Sequence, residues 1–255
     1  MARRPARLPR YAFAASIVIM LVVWQLAVSA LFNPLFFPTP LLILKKGGEL
    51  LSTGELFGHI GQSLWRILAG FLVGSLIGAP LGLLMGSFRV ARAIFEPYVE
   101  FFRFIPSIAW LTPAVIWFGI GETPKVLIIA YTTVFIVAIN TVVGVANVSA
   151  NKIWAAQCLG ATRRQLFFFV TLPAALPFIL TGMRLAMGNS FATVVSAEMI
   201  AADQGIGYLI FDSRLWMATD AIFLAIVVLG LLGFLTDHFF RLLIRRFAGQ
   251  YGPIE

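Results

Sequence analysis

The polar side chains best suited to solute chemistry lie inside long apolar stretches of the chain. Asn189, Thr193 and Ser196 are separated by four and three residues, which places them on one face of an α-helix. Arg184 lies about one turn before this stripe, and Glu198 follows it. Such a stripe can line a water-filled path, or it can join neighbouring helices by hydrogen bonds. Because the two charged residues also need water or partners, the pattern favours a solute pathway.

A second group of charges comes directly before another apolar stretch. Glu96, Glu100 and Arg103 follow an i, i+4, i+7 spacing, which predicts that they share one helix face, and Pro106 comes shortly after them. Charged side chains at membrane depth usually form ion pairs or line a water-filled cavity. A proline has no N–H, so the carbonyl oxygen four residues before it loses its helical hydrogen bond. This group is either a gate or wall of the pathway or an anchor among lipid headgroups, and the spacing leaves both interpretations open.

No catalytic or metal-binding group is predicted. His59 and His238 lie far apart in the sequence and have no neighbours at metal-ligand spacing. Cys158 is the single cysteine, which excludes an intramolecular disulfide. A membrane enzyme is disfavoured because no nucleophile–base pair is recognisable. We therefore expect no cofactor or metal in this chain.

The composition predicts a protein that crosses the membrane several times. Apolar residues make up 60% of the 255 residues, charged residues only 12%, and the mean hydropathy is +0.93. A soluble domain is roughly 25% charged and could not bury so much apolar surface. The net charge of +8 fits the excess of Lys and Arg on the cytoplasmic side of membrane proteins, and no nucleic-acid-binding pattern accompanies it.

Six apolar stretches approach the roughly 20 residues that a helix needs to cross the bilayer. They cover residues 13–32, 67–88, 104–121, 126–151, 176–200 and 221–240. The fold class is therefore an all-α, polytopic membrane protein with about six transmembrane helices. We expect a basic tail at 1–12, a first helix with an external interfacial segment at 13–60, a core domain at 61–246 and a second tail at 247–255.

The distribution of basic residues sets the orientation. With both termini in the cytoplasm, 12 of the 19 Lys and Arg residues lie inside, 4 lie outside and 3 lie at membrane level. The reverse orientation would place the 12 outside, against the positive-inside rule. This predicts that residues 149–175, which we call the 149–175 segment, form the one long cytoplasmic connection.

The second apolar stretch carries a stripe of small residues. Its glycines repeat at every fourth position and so share one helix face. In lipid, such a stripe lets another helix approach closely. It predicts either ordinary bundle packing or a helix seam that slides during transport. The glycines are Gly70, Gly74, Gly78, Gly82 and Gly86.

The 149–175 segment is too apolar for a solvated loop, because it contains Trp154 and the aromatic run 167–169. It contains Trp154-Ala155-Ala156, three residues, Gly160, nine residues, and then Val170, one residue, Leu172-Pro173. This spacing resembles the EAA loop of ATP-binding-cassette importer permeases, in which Glu-Ala-Ala, Gly and Leu-Pro are spaced in the same way. Trp154 stands where the family has Glu, which puts one contact or helix cap in question.

The resemblance implies that the 149–175 segment forms two short helices, with Gly160 at the bend, that dock into an ATPase subunit. Phe167 and Phe168 would supply apolar anchors, and Arg163 and Arg164 would meet acidic groups. The coupling residues are then Trp154, Ala155, Ala156, Gly160, Arg163, Arg164, Phe167, Phe168, Val170, Leu172 and Pro173. The pathway or gate residues are Glu100, Arg103, Pro106, Arg184, Asn189, Thr193, Ser196 and Glu198.

Shorter segments resemble the nitrate, sulfonate and taurine group of these permeases. They include residues 37–40, 63–66, 103–106, 117–122 and 197–199 with 205–207. Membership would imply a second copy of the chain, two ATPase subunits, an external or lipid-anchored solute-binding protein, and a location in a bacterial-type inner membrane. The sequence has no G-x-x-x-x-G-K-[ST] motif, so ATP and Mg would be used by the partners.

A stand-alone, ion-coupled secondary transporter is the alternative. It would account for the charges at membrane depth, but it would leave the EAA spacing unexplained. The resemblance suggests a small anion such as nitrate, an aliphatic sulfonate or taurine as the solute.

Overall fold

A computed structural model describes residues 10–248; most of them are helical, and no strand is found among them. The predicted all-α membrane class is confirmed. The outer parts of both predicted tails, residues 1–9 and 249–255, lie outside the described residues. The helices are α1 (Arg10–Leu31), α2 (Pro40–Ser52), α3 (Glu55–Ser87), α4 (Arg89–Phe102), α5 (Leu111–Phe118), α6 (Glu122–Ala146), α7 (Ala150–Cys158), α8 (Arg163–Leu166), α9 (Leu172–Ala201), α10 (Ile206–Leu215) and α11 (Thr219–Ala248).

Within the described part of the chain, four helical stretches are long and apolar enough to cross a membrane. They are Glu55–Ser87, Glu122–Ala146, Arg163–Ala201 and Thr219–Ile244. A fifth span results if α4 and the helical residues Ser107–Phe118, which are bent by 90° at a short break, are counted as one. The first predicted stretch coincides with α1, whose residues Ala15–Leu31 form a shorter apolar helix.

Two parts of the chain, the third predicted span and the residues after α9, differ from their predictions. The third span is not one straight helix, because α4 ends at Phe102 and the chain resumes as a 3₁₀ turn after Pro106. Proline has no N–H to donate and disfavours helical geometry in the residue before it, so the helix stops there. Residues 201–219, which the apolar pattern predicts to be an external loop, contain α10.

The chain packs as two units. One unit comprises the residues up to Gly58 together with Leu209–Val228. In it, Thr39 caps α2 by accepting a hydrogen bond from the Leu42 N–H at 3.4 Å, and Pro40 occupies the first turn, where its missing N–H costs nothing. The ring centroids of Trp24 and Phe223 lie 6.2 Å apart.

The other unit, His59–Tyr208 and the residues from Leu229 onward, contains most of the core. Its buried apolar cluster joins α3, α6, α9 and α11 through Phe71, Ile129, Phe191 and Phe240. The aromatic rings of Phe71 and Phe240 meet edge to face, with their centroids 5.5 Å apart.

All five glycines of the α3 stripe face α6. A Cβ atom added at Gly74 would lie 2.5 Å from the Thr133 Cβ, and one added at Gly82 would lie 2.5 Å from the Ala138 carbonyl oxygen. Separations this short mean that only glycine allows the two backbones to come so close. On its other side α6 packs against α9, where a Cβ at Gly182 would lie 2.6 Å from the Asn140 Cβ. Helix α6 is therefore held between α3 and α9.

Candidate functional site

The 149–175 segment folds as two helical parts joined by a sharp bend. Helix α7 ends at Cys158, and Gly160 has a φ of 78°, a left-handed conformation that favours glycine. Thr162 and Gln165 then form a reciprocal capping box that starts α8. A π-helical turn, Phe167–Thr171, leads directly into α9. The second part is thus the first stretch of a transmembrane helix rather than a separate loop.

Large apolar side chains of this segment are exposed. Trp154 is 62% exposed, Leu159 is 89% exposed and Phe169 is 77% exposed, and Phe168 also faces outward. Arg163 and Arg164 are exposed beside them. The chain itself therefore leaves uncovered an apolar surface with basic residues along it, the composition expected of a protein–protein contact rather than of a solvated loop.

A second group of residues, which we call the Arg66 cluster, is enclosed. Arg66 is fully buried. Its Nε and Nη2 atoms donate to the two Glu122 carboxylate oxygens at 2.6 and 2.7 Å, and its Nη1 donates to Glu198 at 2.8 Å. The Gln204 carbonyl oxygen accepts a further bond from Nη1 at 2.5 Å. Lys125 also donates to Glu122, at 3.0 Å, so two carboxylates balance two basic side chains where an unpaired charge would be expensive.

Glu198 also organises the turn that follows α9. The Ser63 hydroxyl donates to its carboxylate at 2.8 Å, and the Gly207 N–H donates to it at 2.9 Å. Ser63 in turn accepts from the Ile206 N–H at 2.8 Å. Gly205 has a φ of 130° and lies against the Glu198 carboxylate, so that a Cβ there would collide with it. The cluster fastens the start of α10 to α3.

Sequence reasoning did not predict this cluster. It placed Glu198 along the pathway and gave Arg66 and Glu122 no role, whereas the structure buries Glu198 against Arg66. A usable signal was present, since an arginine inside an apolar stretch requires carboxylates at the same depth. Glu122 and Glu198 lie at the ends of two other spans on the side predicted to be external.

The remaining predicted pathway residues are not brought together on one open surface. Thr193 is buried within the unit and donates to the Asn189 carbonyl oxygen at 3.1 Å, whereas Asn189 itself is exposed. The Ser196 hydroxyl donates to the Ala192 carbonyl oxygen at 3.3 Å. The helical stripe is present, but helix packing covers its middle member.

Arg184 differs most from expectation. Its guanidinium contacts both oxygens of Asp237 on α11, at 2.5 and 3.2 Å, and Arg241 binds the same carboxylate at 2.8 Å. We expected Arg184 to give the pathway a positive floor suited to an anion; its guanidinium is instead directed to Asp237, which it shares with Arg241. Asp237 was predicted only as part of a span.

The Glu96, Glu100 and Arg103 group keeps its predicted spacing at the end of α4. Glu96 pairs with Arg92 at 2.9 Å on the exposed face of α4. Arg103 caps α4 with helical backbone angles, its N–H donates to the Val99 carbonyl oxygen at 3.1 Å, and its side chain lies 3.4 Å from Glu100. Its guanidinium lies over the Phe104 ring, 4.5 Å from the centroid, at the break that precedes Pro106.

The described residues also bear on metal binding. Nowhere in residues 10–248 do three His, Cys, Asp or Glu side chains group closely enough to hold a metal ion. The described residues contain packed helices, a buried ion-pair cluster and an exposed apolar surface on the 149–175 segment.

Comparison with known proteins agrees with this arrangement. Residues 78–249 match the family described as binding-protein-dependent transport system inner membrane component. The taurine transport system permease protein TauC of Escherichia coli is 39% identical over 244 residues, which cover 93% of this chain and 88% of that protein. The putative aliphatic sulfonates transport permease protein SsuC of Bacillus subtilis is 34% identical over 248 residues, covering 96% and 90%.

A cyanobacterial relative and a solved structure extend the comparison. The nitrate import permease protein NrtB of Synechocystis is 31% identical over 239 residues, covering 90% of this chain and 86% of that protein. The inward-facing MetNI methionine ABC transporter matches with a TM-score of 0.68 and 20% identity, over 78% of this chain and 98% of that one, which shows the shared fold. The chain therefore belongs to the family of binding-protein-dependent inner-membrane transport components and is the membrane-spanning permease subunit of an ATP-binding-cassette importer.

Proposed function

We propose that two copies of this chain work with two ATPase subunits and an external solute-binding protein to import a small organic anion of the sulfonate type. ATP and Mg are used by the ATPase subunits, and this chain supplies the path and the coupling surface. The observation that carries the proposal is the exposed apolar face of the 149–175 segment, around Trp154 and Phe168.

The solute class follows from the relatives. Their names specify taurine, aliphatic sulfonates and nitrate, all of which carry a compact oxyanion group. We propose the same chemical group for this importer and favour a sulfonate, because two of these three names are of sulfonate compounds.

The coupling mechanism requires a helix arrangement with two stable states that nucleotide and binding protein favour differently. Closure of the ATPases draws the two 149–175 segments together and opens the path outward, and hydrolysis restores the inward-facing state. Because α9 continues directly from Phe167–Thr171, movement of the segment is passed to the helix that carries Asn189.

Phe168→Asp tests the coupling surface. A charge in the apolar contact should abolish co-purification of the ATPase subunits and ATP-dependent import, because it desolvates a carboxylate without a partner. Phe168→Leu is the matched control, since it keeps an apolar side chain and should retain both. The thermal unfolding of the isolated permease should be the same for all three proteins, because the Phe168 side chain is exposed in the chain alone.

Two results would contradict the proposal. If Phe168→Asp assembles and imports normally, the exposed surface is not the coupling contact. If the purified wild-type permease alone carries a solute across vesicles without nucleotide, the chain is an ion-coupled carrier.

A further inference from the structure

The basic side chains within or beside the spans differ in how closely carboxylates contact them. Arg66 bonds two carboxylates at 2.8 Å or less, Lys125 lies 3.0 Å from Glu122, and Arg184 lies 2.5 Å from Asp237. Arg103 is the exception in this comparison. Its ion pair is a single 3.4 Å contact with Glu100, whose side chain is 59% exposed. A contact that long to a solvated carboxylate balances little of the guanidinium charge.

Arg103 borders a pocket of about 310 Å³. Tyr131 and Thr132 on α6 and Asn189 on α9 supply the other polar side chains of its lining, and Phe135 is part of its apolar wall. These positions lie near the middle of two spans, Glu122–Ala146 and Arg163–Ala201. The volume falls at the lower end of the range typical of small-molecule sites.

The helix break aims Arg103 at this pocket. Helix α4 ends at Phe102, and the Phe102 carbonyl oxygen accepts hydrogen bonds from the Ile105 N–H at 3.0 Å and from the Tyr131 hydroxyl at 2.5 Å. Stacking of the guanidinium on Phe104 uses its face and leaves the N–H groups along its edge for a ligand.

The hydroxyl hydrogens of the pocket are already used. Tyr131 donates to Phe102, and Thr132 donates to the Ile129 carbonyl oxygen at 3.0 Å. The donors that remain for a ligand are the guanidinium of Arg103 and the amide of Asn189. Both are suited to oxygen acceptors, and the one carboxylate of the described residues that contacts them, Glu100 at 3.4 Å from Arg103, lies outside the lining.

We propose that this Arg103 pocket is an anion subsite in the solute path, in which Arg103 and Asn189 bind the oxyanion head of a sulfonate and the wall formed by Phe135 and its apolar neighbours contacts its short carbon chain. The inference rests on the proposed function, which it deepens by naming the residues that face the solute. The apolar wall favours an alkanesulfonate over a bare ion such as nitrate, because nitrate has no apolar part to bury.

Charge-selective thiol modification tests the subsite. Cys158→Ser first removes the exposed native thiol, and Asn189→Cys then places a thiol at the pocket. The full-length chain in membrane vesicles is treated with 2-sulfonatoethyl methanethiosulfonate, which itself carries an ethylsulfonate, or with its trimethylammonium counterpart. The anion-to-cation rate ratio, divided by the same ratio for free 2-mercaptoethanol, reports the local potential.

We expect Arg103→Gln to lower this normalised ratio about tenfold, because a unit charge a few ångströms away is removed from a site of reduced dielectric. Arg103→Lys keeps the charge and should keep most of the ratio. Arg92→Gln is the matched control, since Arg92 lies on the same α4 but pairs with Glu96 and is not part of the pocket lining. It should leave the ratio unchanged.

Three results would overturn the subsite. They are a ratio that does not depend on Arg103, an equal loss with Arg103→Lys, and a thiol at position 189 that reacts with neither reagent, with or without ATP. ATP-dependent uptake of ethanesulfonate by the complete importer separates the two proposals. Uptake without Arg103 dependence of the ratio refutes the subsite alone, and an Arg103-dependent ratio without uptake of any anion refutes the proposed function alone.

Discussion

The two ends of α9 differ in whether the chain itself buries and pairs the side chains that are costly to leave without partners. At its end, Glu198 and Arg66 are buried charges, and groups of the same chain satisfy them. Before its start, the 149–175 segment leaves Trp154 and Phe168 uncovered. Buried charges and exposed aromatic residues are both costly for a protein on its own. Within the described part of the protomer, the buried charges have partners, whereas the exposed aromatic residues are not covered.

This difference separates what makes the subunit fold from what makes it work. Damage to the Arg66 cluster should appear as lost stability of the isolated chain. Loss of the exposed side chains of the 149–175 segment should appear only when the ATPase subunits are present. Three substitutions test this separation, in descending order of expected effect.

Glu198→Ala should have the largest effect. It leaves the Arg66 guanidinium with one carboxylate and removes the acceptor of the Ser63 hydroxyl and the Gly207 N–H. Removing one partner of a buried ion pair typically costs about 3–5 kcal/mol. Thermal unfolding of the purified permease in detergent measures the loss.

The matched control for this substitution is Glu96→Ala, which breaks the exposed pair with Arg92 and should not change unfolding measurably. Equal unfolding temperatures for Glu198→Ala and the wild type would show that the Arg66 cluster is not a stabilising element.

Trp154→Ala should have an intermediate effect, and on association alone. A tryptophan buried at an interface often contributes about 2 kcal/mol or more, so the affinity for the ATPase subunits should fall roughly thirtyfold. Trp154→Glu restores the residue of the EAA pattern and should be tolerated. Titration of the permease with ATPase subunits measures both, and equal large losses would instead indicate that Trp154 is an anchor at the lipid surface.

Gly160→Ala should have the smallest effect. No atom lies within 4 Å of the position that a Cβ would occupy, so the cost is the left-handed backbone alone, about 1 kcal/mol. We expect a modest loss of substrate-stimulated ATPase activity. Gly230→Ala, also in open space but with no left-handed backbone conformation, should be neutral. An equal response to both substitutions would mean that the bend at Gly160 is not required for coupling.

The sequence was most informative where a pattern is local. Apolar stretches predicted the positions of the spans, and the resemblance to the EAA loop implied a bend at Gly160 between two helical parts, although the second part continues into α9. The glycine stripe predicted a close helix contact, although it could not identify α6 as the neighbour. Each of these signals depends on residues within one or two helical turns, or on one motif of fixed length.

The sequence was least informative where partners are distant along the chain. Arg66 and Glu198 are 132 residues apart, and Arg184 and Asp237 are 53 apart. Spacing on one helix cannot show which charge on another helix will balance it. For this reason the helical spacing around Arg184 could not predict its contact with Asp237.

The continuity from Arg163 to Ala201 has a mechanical consequence. These 39 residues form one apolar helical stretch, which at a rise of 1.5 Å per residue is a rod of about 58 Å. A rod anchored at one end by Glu198 and pushed at the other pivots about its anchor, so its free end travels furthest. The wider π-helical turn at Phe167–Thr171, followed by Pro173 and Pro177, is the weakest point along it. The Arg163–Ala201 stretch therefore bends most easily at that turn, which lies between α8 and α9.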